Sequence, residues 1–173
     1  QGMFAIGLVP HSIYWVDYVA RGLGHGMGQG GLQWVLVGIG AVGGTYLCGL
    51  LADRVGFGAA LVAVFAGLAA GIALPVLVPA LPALIVSSLV FGAQPGLSAV
   101  IAGRARQVVG VRDMPQVWRW MVLSVGISQT IGGYALVTLF DATGSYTPVF
   151  LIGGGAMALG ALLSLPLWDR ETS

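Results

Sequence analysis

The sequence is poor in charge. It has seven basic and six acidic residues among 173, which is 8% of the chain against roughly 25% in soluble domains. It contains no lysine, so all the basic residues are arginine. So few charges cannot cover a water-soluble protein of this length, and a net charge of +1 offers no basic surface to nucleic acid. The composition excludes a soluble domain and argues against a nucleic-acid-binding protein.

Cysteine and histidine are scarce as well. Cys48 is the single cysteine, which excludes an internal disulfide and a C-x-x-C redox or zinc site. Two histidines, His11 and His25, leave few ligands for a metal cluster. We therefore predict no metal and no cofactor, and we expect His25, in a glycine-rich stretch, to be solvated.

Apolar residues make up most of what is present. Hydrophobic residues account for 57% of the chain and 29 more residues are glycine. Segments of about 20 residues that can cross a bilayer fit six times between the charges and the Gly/Pro turns. The six predicted spans are 3–22, 32–52, 57–78, 81–103, 117–140 and 148–168. The sequence predicts an all-α membrane protein whose residues 1–173 form a single bundle of six transmembrane helices.

The arginines indicate how these spans are oriented. With six spans both ends lie on one side, and that side carries every arginine except Arg21. By the positive-inside rule both ends are cytoplasmic, in the inner (plasma) membrane. The chain begins at Gln1 and lacks the pattern of a cleaved signal peptide, so we expect an excised piece or a processed chain.

The chain matches itself at an offset of 88 residues. Eight of 20 compared positions are identical, where about two are expected by chance. The matches pair Val37, Gly38, Ile39, Gly44, Tyr46, Leu51, Asp53 and Gly56 with Val125, Gly126, Ile127, Gly132, Tyr134, Leu139, Asp141 and Gly144. These segments are the second and fifth spans with the turns that follow them, so their topologies are opposite. The sequence predicts two inverted three-helix repeats, about 1–80 and 81–173, with convergent glycine-rich helices as the alternative.

The turn after the second span carries a motif, Gly49-Leu-Leu-Ala-Asp53-Arg54-Val-Gly56. Gly49 would permit close helix approach and Gly56 a tight turn, while Asp53 could face the N-terminus of a neighbouring helix. The segment resembles the G-x-L-a-D-R-x-G loop of the major facilitator superfamily, which lies between the second and third helices of each six-helix half. A generic charged cytoplasmic turn is the alternative.

The resemblance covers the whole chain but only one half of a superfamily transporter, which has about twelve helices. The long arginine-bearing connection before the fifth span is similar to the C-terminal half of bacterial members, and the general pattern to a poorly characterised permease subgroup. Phe57 and Gly58 replace the basic residues that usually follow the motif, and Gly132-Gly133 replaces the Gly-Pro pair of the antiporter signature. The resemblance implies a permease half that moves a small solute by alternating access against a missing N-terminal half. It does not imply antiport.

Polar residues concentrate in the first and fourth spans, which the resemblance places around a central cavity. A carboxylate at membrane depth costs about 2.5–3.5 kcal/mol and is a functional-site candidate by default. We predict that Asp17, with Tyr14, His11 and Tyr18 beside it and Gln94 across the cavity, forms the solute site or carries a coupling proton.

Asp17 and Gln94 each have a structural alternative. Asp17 lies four residues before Arg21, and the two can form an ion pair within one helix. Gln94 precedes Pro95-Gly96, which predicts a kinked or broken helix beside a cavity. The same kink, with Gln94 bonded to the freed carbonyl, would serve packing alone.

Other functions are less well supported. Gly96-Leu-Ser98-Ala resembles the nucleophile motif of rhomboid-like intramembrane serine proteases, but no histidine follows His25 to act as the base. We therefore predict no catalytic residues and no enzymatic activity. Because half a facilitator cannot enclose a two-sided path, a homodimeric six-helix carrier or channel is the second hypothesis. The expected partners are the solute, the lipid bilayer, and the missing half or a second copy.

Overall fold

The computed structural model describes residues 1–168, with side-chain exposure up to residue 165. Arg170 and Ser173 lie outside the described residues. The elements are α1 (Gly2–Val9), a π-helical segment (Pro10–Tyr14), α2 (Trp15–Asp17), a second π-helical segment (Tyr18–Gly22), α3 (Gly26–Leu77), α4 (Leu81–Gly92), α5 (Gln94–Thr143) and α6 (Tyr146–Trp168). Residues 2–22 together are called the first segment below. The predicted all-helical class is confirmed.

Three helical stretches among the described residues are long and apolar enough to cross a membrane. They are Gly26–Leu77, Leu81–Thr143 and Tyr146–Leu165. The first segment is too irregular to form one continuous α-helix, since α and π turns alternate along it. Pro10 contributes to this irregularity because it has no N–H to bond the carbonyl four residues earlier.

α3 folds back on itself at Gly56. This residue has φ 82° and ψ 158°, a backbone conformation that residues other than glycine rarely adopt. Gly40 and Gly71, on opposite sides of it, contact the neighbouring residues Leu89 and Val90 of α4. Thirty-one residues of straight helix would hold them about 46 Å apart. α3 therefore consists of two arms joined at Gly56, where the sequence predicts a turn.

α5 folds back in the same way at Gly110, which has φ 78° and ψ 170°. Ile101 and Ser124, on opposite sides of Gly110, line one cavity of about 480 Å³. A straight helix would separate them by about 35 Å. The predicted connection 104–116 is therefore helical for most of its length and changes direction at a single glycine.

The boundary between α4 and α5 lies at Ala93, directly before Gln94 and Pro95. The N–H of Ala93 bonds to the carbonyl of Val90 at 3.0 Å, and the N–H of Gly96 bonds to that of Ala93 at 2.9 Å. These tighter bonds replace the regular ladder that Pro95 cannot continue. The helix is interrupted where the sequence predicts it.

Contacts made at glycines give the relative directions of the helices. The first segment runs antiparallel to α6, α6 antiparallel to the second arm of α3, and that arm antiparallel to α4 and the beginning of α5. The contacts are Gly7–Met157 and Pro10–Gly153, Ala73–Gly154 and Phe65–Gly160, Gly71–Val90 and Phe57–Gly103. The first segment therefore runs antiparallel to α4.

The core lies where the first segment meets α3, α4 and α6. Its fully buried members include Trp15, Leu68, Ile72, Leu84 and Phe150. The helices approach closely because glycines face them: a methyl group at Gly40 would collide with the backbone of Leu89, and one at Gly44 with Ala93. Small residues at helix contacts are the usual means of close packing in membranes.

Candidate functional site

Asp17 lies between the two π-helical segments and joins the first segment to the start of α6. One carboxylate oxygen lies 3.0 Å from Nη1 of Arg21, and the other accepts a hydrogen bond of 2.5 Å from the hydroxyl of Tyr146. The side chain of Asp17 is 33% exposed and that of Arg21 is 78% exposed. The carboxylate is therefore held by one exposed cation and by one neutral donor from another helix.

Aromatic rings lie beside this carboxylate on the side that faces the interior of the helix bundle. Tyr14 and Tyr18 are both buried and both contact Tyr146, with ring centroids 6.3 Å and 5.2 Å away. Phe140 lies 4.8 Å from Tyr14 and 4.8 Å from Tyr146. The predicted site residues Tyr14, Tyr18 and Asp17 are thus brought together, but the two tyrosines face the interior of this bundle.

The hydroxyl of Tyr18 donates a 2.8 Å hydrogen bond to the carbonyl of Pro75. In a helix that carbonyl would accept from residue 79, but residue 79 is proline and has no N–H. Tyr18 therefore supplies a donor that the backbone lacks.

His11 belongs to a second arrangement of this kind. Its Nε2 lies 2.8 Å from Oγ of Ser87, and the hydroxyl of Ser87 donates to the carbonyl of Gly71 at 2.7 Å. Residue 75, four positions after Gly71, is proline, so this carbonyl also lacks its helical donor. Because the proton of Ser87 is used by Gly71, Nε2 of His11 is the donor in the first bond.

The ring of His11 is fully buried among aromatic side chains. It stacks on Trp15 and on Phe91, each with a centroid distance of 4.4 Å, and Phe150 meets it edge-on at 5.3 Å. Its Nδ1 has no hydrogen-bond partner among the described residues. His11 is a packed residue with one free acceptor, and it has no direct opening to solvent.

Gln33 is a buried polar residue that was not predicted from the sequence. The indole N–H of Trp15 donates to Oγ of Ser88 at 3.0 Å, and Ser88 donates to Oε1 of Gln33 at 2.7 Å. Gln33 is fully buried, and its Nε2 has no partner among the described residues. An amide at the start of an otherwise apolar span is the signal that could have found it.

Gln94 is not brought together with Asp17. It is half-buried, and its neighbours Ala93 and Gly96 contact the first arm of α3. The hydrogen bond between His11 and Ser87 places these two residues at the same depth along the bundle. Asp17 follows His11 by six residues and Gln94 follows Ser87 by seven. Because the two helices are antiparallel, these offsets run in opposite directions and add. At 1.5 Å per residue the two side chains are about 20 Å apart along the helix axes.

The loop-motif residues lie at the hinge of α3. Asp53 and Arg54 are exposed, and Gly56 has the positive φ that makes the turn possible. The close helix approach expected at Gly49 is not observed, because no described atom lies within 4 Å of a methyl group placed there. Neither Asp53 nor Arg54 has an ion pair among the described residues.

Taken together, these groups can hold a charge and relay hydrogen bonds between helices. No group of three or more His, Cys, Asp or Glu side chains converges within the described part of the chain. The hydroxyl of Ser87 lies beside His11 but donates to a backbone carbonyl, so His11 does not accept its proton in this arrangement.

Comparison with known protein families identifies this chain's family. Residues 1–165 match the family MFS_4, described as "Uncharacterised MFS-type transporter YbfB". Neither the curated proteins nor the solved structures give a match. The matched region includes every described helix up to the last residues of α6. The chain belongs to the MFS_4 family of major facilitator superfamily (MFS) transporters.

Proposed function

We propose that the chain is one six-helix half of a secondary transporter that moves a small solute by alternating access. The observation that carries the proposal is the inverted relation between the first arm of α3 and the second arm of α5. Inverted repeats supply the two equivalent arrangements between which such transporters rock.

The directions of the helices support this inversion. The first arm of α3 runs parallel to α4 and the start of α5, through the contacts Gly40–Leu89, Gly44–Ala93 and Cys48–Gly96. The second arm of α5 runs parallel to the first segment, through Gly2–Ser128, Ile6–Gly132 and Tyr14–Phe140. Since the first segment and α4 are antiparallel, the two matched arms are antiparallel too.

Exposure along the two arms supports the same relation. Between residues 33 and 48 eight positions are exposed: 34, 35, 38, 39, 42, 43, 46 and 47. Each of the eight has an exposed counterpart 88 residues later. The offset that aligns identical residues therefore also aligns the faces they present.

Asp17 acts in this proposal as a fixed counter-charge at the outer end of the bundle. Its contacts with Arg21 and Tyr146 hold the carboxylate in one position. Its 33% exposure favours a second role, as carrier of a coupling proton, because water can reach it. The solute passes beside this group in either case.

Transport by the protein expressed from its complete reading frame distinguishes the two roles of Asp17. If Asp17 carries the proton, Asp17→Asn abolishes pH-driven uptake and leaves solute counterflow intact. If it is a counter-charge, Asp17→Asn and Arg21→Gln are each harmful and the double variant recovers. An Asp17→Asn variant with normal activity in both assays would contradict both roles.

The partner in the proposal is a second six-helix body, either the N-terminal half or a second copy. A reading frame with roughly 200 further membrane residues upstream supports the two-half carrier, because one such half is about that size. A reading frame of six spans supports the homodimer instead.

Cysteine labelling tests the proposed topology. In a Cys48→Ala background we expect His25→Cys to react from outside the cell and Val111→Cys and Ser173→Cys from the cytoplasm. Val111 is chosen over Gly110 because the positive φ at 110 disfavours any side chain. Reaction of position 25 from the cytoplasm alone would overturn the orientation and the loop-motif assignment with it.

A further inference from the structure

Two tyrosines on the second and fifth spans take no part in the site around Asp17. Tyr46 is 68% exposed and Tyr134 is 75% exposed. They are 88 residues apart, so they occupy the same position in the two matched arms. Within the described part of the chain neither hydroxyl has a hydrogen-bond partner.

Both tyrosines lie deep in their spans. Tyr46 is four residues past the middle of span 32–52, about 6 Å along the axis, and Tyr134 is about 8 Å past the middle of span 117–140. The hydrocarbon core extends about 15 Å on each side of its centre. Because Cα–Cβ bonds tilt toward the helix N-terminus, both side chains lean back toward the centre of the bilayer. The interfacial aromatic belt therefore does not account for them.

A phenol hydroxyl at this depth needs a polar environment. Lipid tails offer it no hydrogen bond, and an unpaired hydroxyl in hydrocarbon is unfavourable. The exposed faces of the two arms must therefore meet water, a solute or polar groups of another body at Tyr46 and Tyr134. No charged residue occurs in 32–52 or 120–140, so the helix segments that carry the two hydroxyls are themselves uncharged.

We propose that Tyr46 and Tyr134 line the solute pathway as an equivalent pair, each offering its phenol to an uncharged hydrogen-bonding group of the solute. This inference rests on the proposed transport function and orientation. Tyr46 then lies on the cytoplasmic side of the pathway's middle and Tyr134 on the external side. Each therefore contacts the solute during a different part of the cycle.

Thiol accessibility tests the pair without knowledge of the solute. Tyr46→Cys, Tyr134→Cys and the control Leu163→Cys are made in the Cys48→Ala background of the complete protein and treated in membranes with a sulfonated, membrane-impermeant maleimide. Leu163 is 64% exposed on α6, a helix expected to face lipid, where thiols do not ionise. We expect both tyrosine positions to react about tenfold faster than position 163, with 46 modified in inside-out vesicles and 134 in intact cells.

Rates equal to that of Leu163→Cys would overturn the proposal. If a tyrosine variant does not accumulate, Val42→Cys and Thr130→Cys, the matched positions one turn away, replace it with the same expectation. If His25→Cys and Val111→Cys are labelled from opposite sides of the membrane while positions 46 and 134 do not react, the proposed topology stands. The proposal that the two tyrosines line the pathway is then rejected. Same-side labelling of positions 25 and 111 would reject the topology itself.

Discussion

Pro75 and Pro79 explain at the residue scale why hydroxyl side chains gather inside this bundle. They deprive the carbonyls of Gly71 and Pro75 of helical donors, and Ser87 and Tyr18 replace those donors. In a membrane no water reaches a buried carbonyl, so each replacement stabilises the packing of neighbouring helices. Ser87 joins α4 to α3 and, through His11, to the first segment, while Tyr18 joins the first segment to α3. Polar residues that a sequence marks as functional can therefore be satisfying the backbone.

Ser87→Ala should cost about 1–3 kcal/mol of unfolding free energy, because it leaves the carbonyl of Gly71 and the Nε2 of His11 unpaired. In a Pro75→Ala background the backbone regains a donor for Gly71, so the same substitution should cost less. Ser88→Ala, which does not touch that carbonyl, is the matched control and should cost the same in both backgrounds. Thermal unfolding in detergent measures the four differences, and equal costs for Ser87→Ala in both backgrounds would contradict the explanation.

Tyr146→Phe should destabilise the protein more than Arg21→Gln does. The hydroxyl of Tyr146 donates to a carboxylate that is two-thirds buried, a bond worth about 1.5–3 kcal/mol. Arg21 is 78% exposed, and exposed ion pairs contribute about 0–1 kcal/mol. Unfolding free energies of the two variants measured side by side check the order. A larger loss for Arg21→Gln would mean that the ion pair, and not the link to α6, fixes Asp17.

Sequence patterns predicted which of the candidate site residues lie near one another but not which way they face, and their role in transport stays a prediction. The patterns grouped Asp17, Tyr14, Tyr18 and His11, which share one region of the structure. A helical wheel gives the side that residues share but not which neighbour that side faces, so the inward burial of His11 could not be foreseen. Gln94 was predicted to lie opposite Asp17 because a helical wheel does not show how far two residues on different helices are apart along the helix axes.

At the scale of elements, single glycines set the direction of the two longest helices. Gly56 and Gly110 reverse α3 and α5 without a loop between the arms. The sequence predicts turns in both regions because charges and glycine interrupt the apolar runs. It could not predict that helical hydrogen bonding continues up to a single residue, because that depends on how the arms pack.

Two glycines of the loop motif should respond differently to alanine. Gly56→Ala should cost about 1–3 kcal/mol because φ is 82° there. Gly49→Ala should be neutral or stabilise by about 0.5–1 kcal/mol, since it lies in a helix with open space around it. The two changes add the same methyl group seven residues apart, so each is a control for the other in a thermal unfolding series. Equal losses would show that a partner body, rather than backbone conformation, constrains the motif.

At the scale of the whole molecule, we propose that Asp53 contacts the second six-helix body. In facilitators the corresponding loop stabilises one side of the cycle against a helix of the opposite half, and Asp53 is exposed and available for such a contact. Asp53→Asn should therefore slow transport several-fold while changing solute affinity much less, because it shifts the balance between conformers. Transport rate and equilibrium solute binding by the complete protein check this. Equal losses in both, or an unchanged rate, would count against it.

The hydrogen bonds of the first segment also bear on biosynthesis. Trp15 donates to Ser88, which follows it by 73 residues, and His11 and Tyr18 likewise depend on residues 87 and 75. At about 5–20 residues per second the ribosome takes about 4–15 s to make that stretch. During this interval the first segment has left the ribosome with its polar groups unpaired. Because unpaired polar groups are unfavourable in hydrocarbon, we expect the first segment to enter the lipid together with the later helices that pair with it, and a first segment that inserts stably before residues 75–88 are made would contradict this.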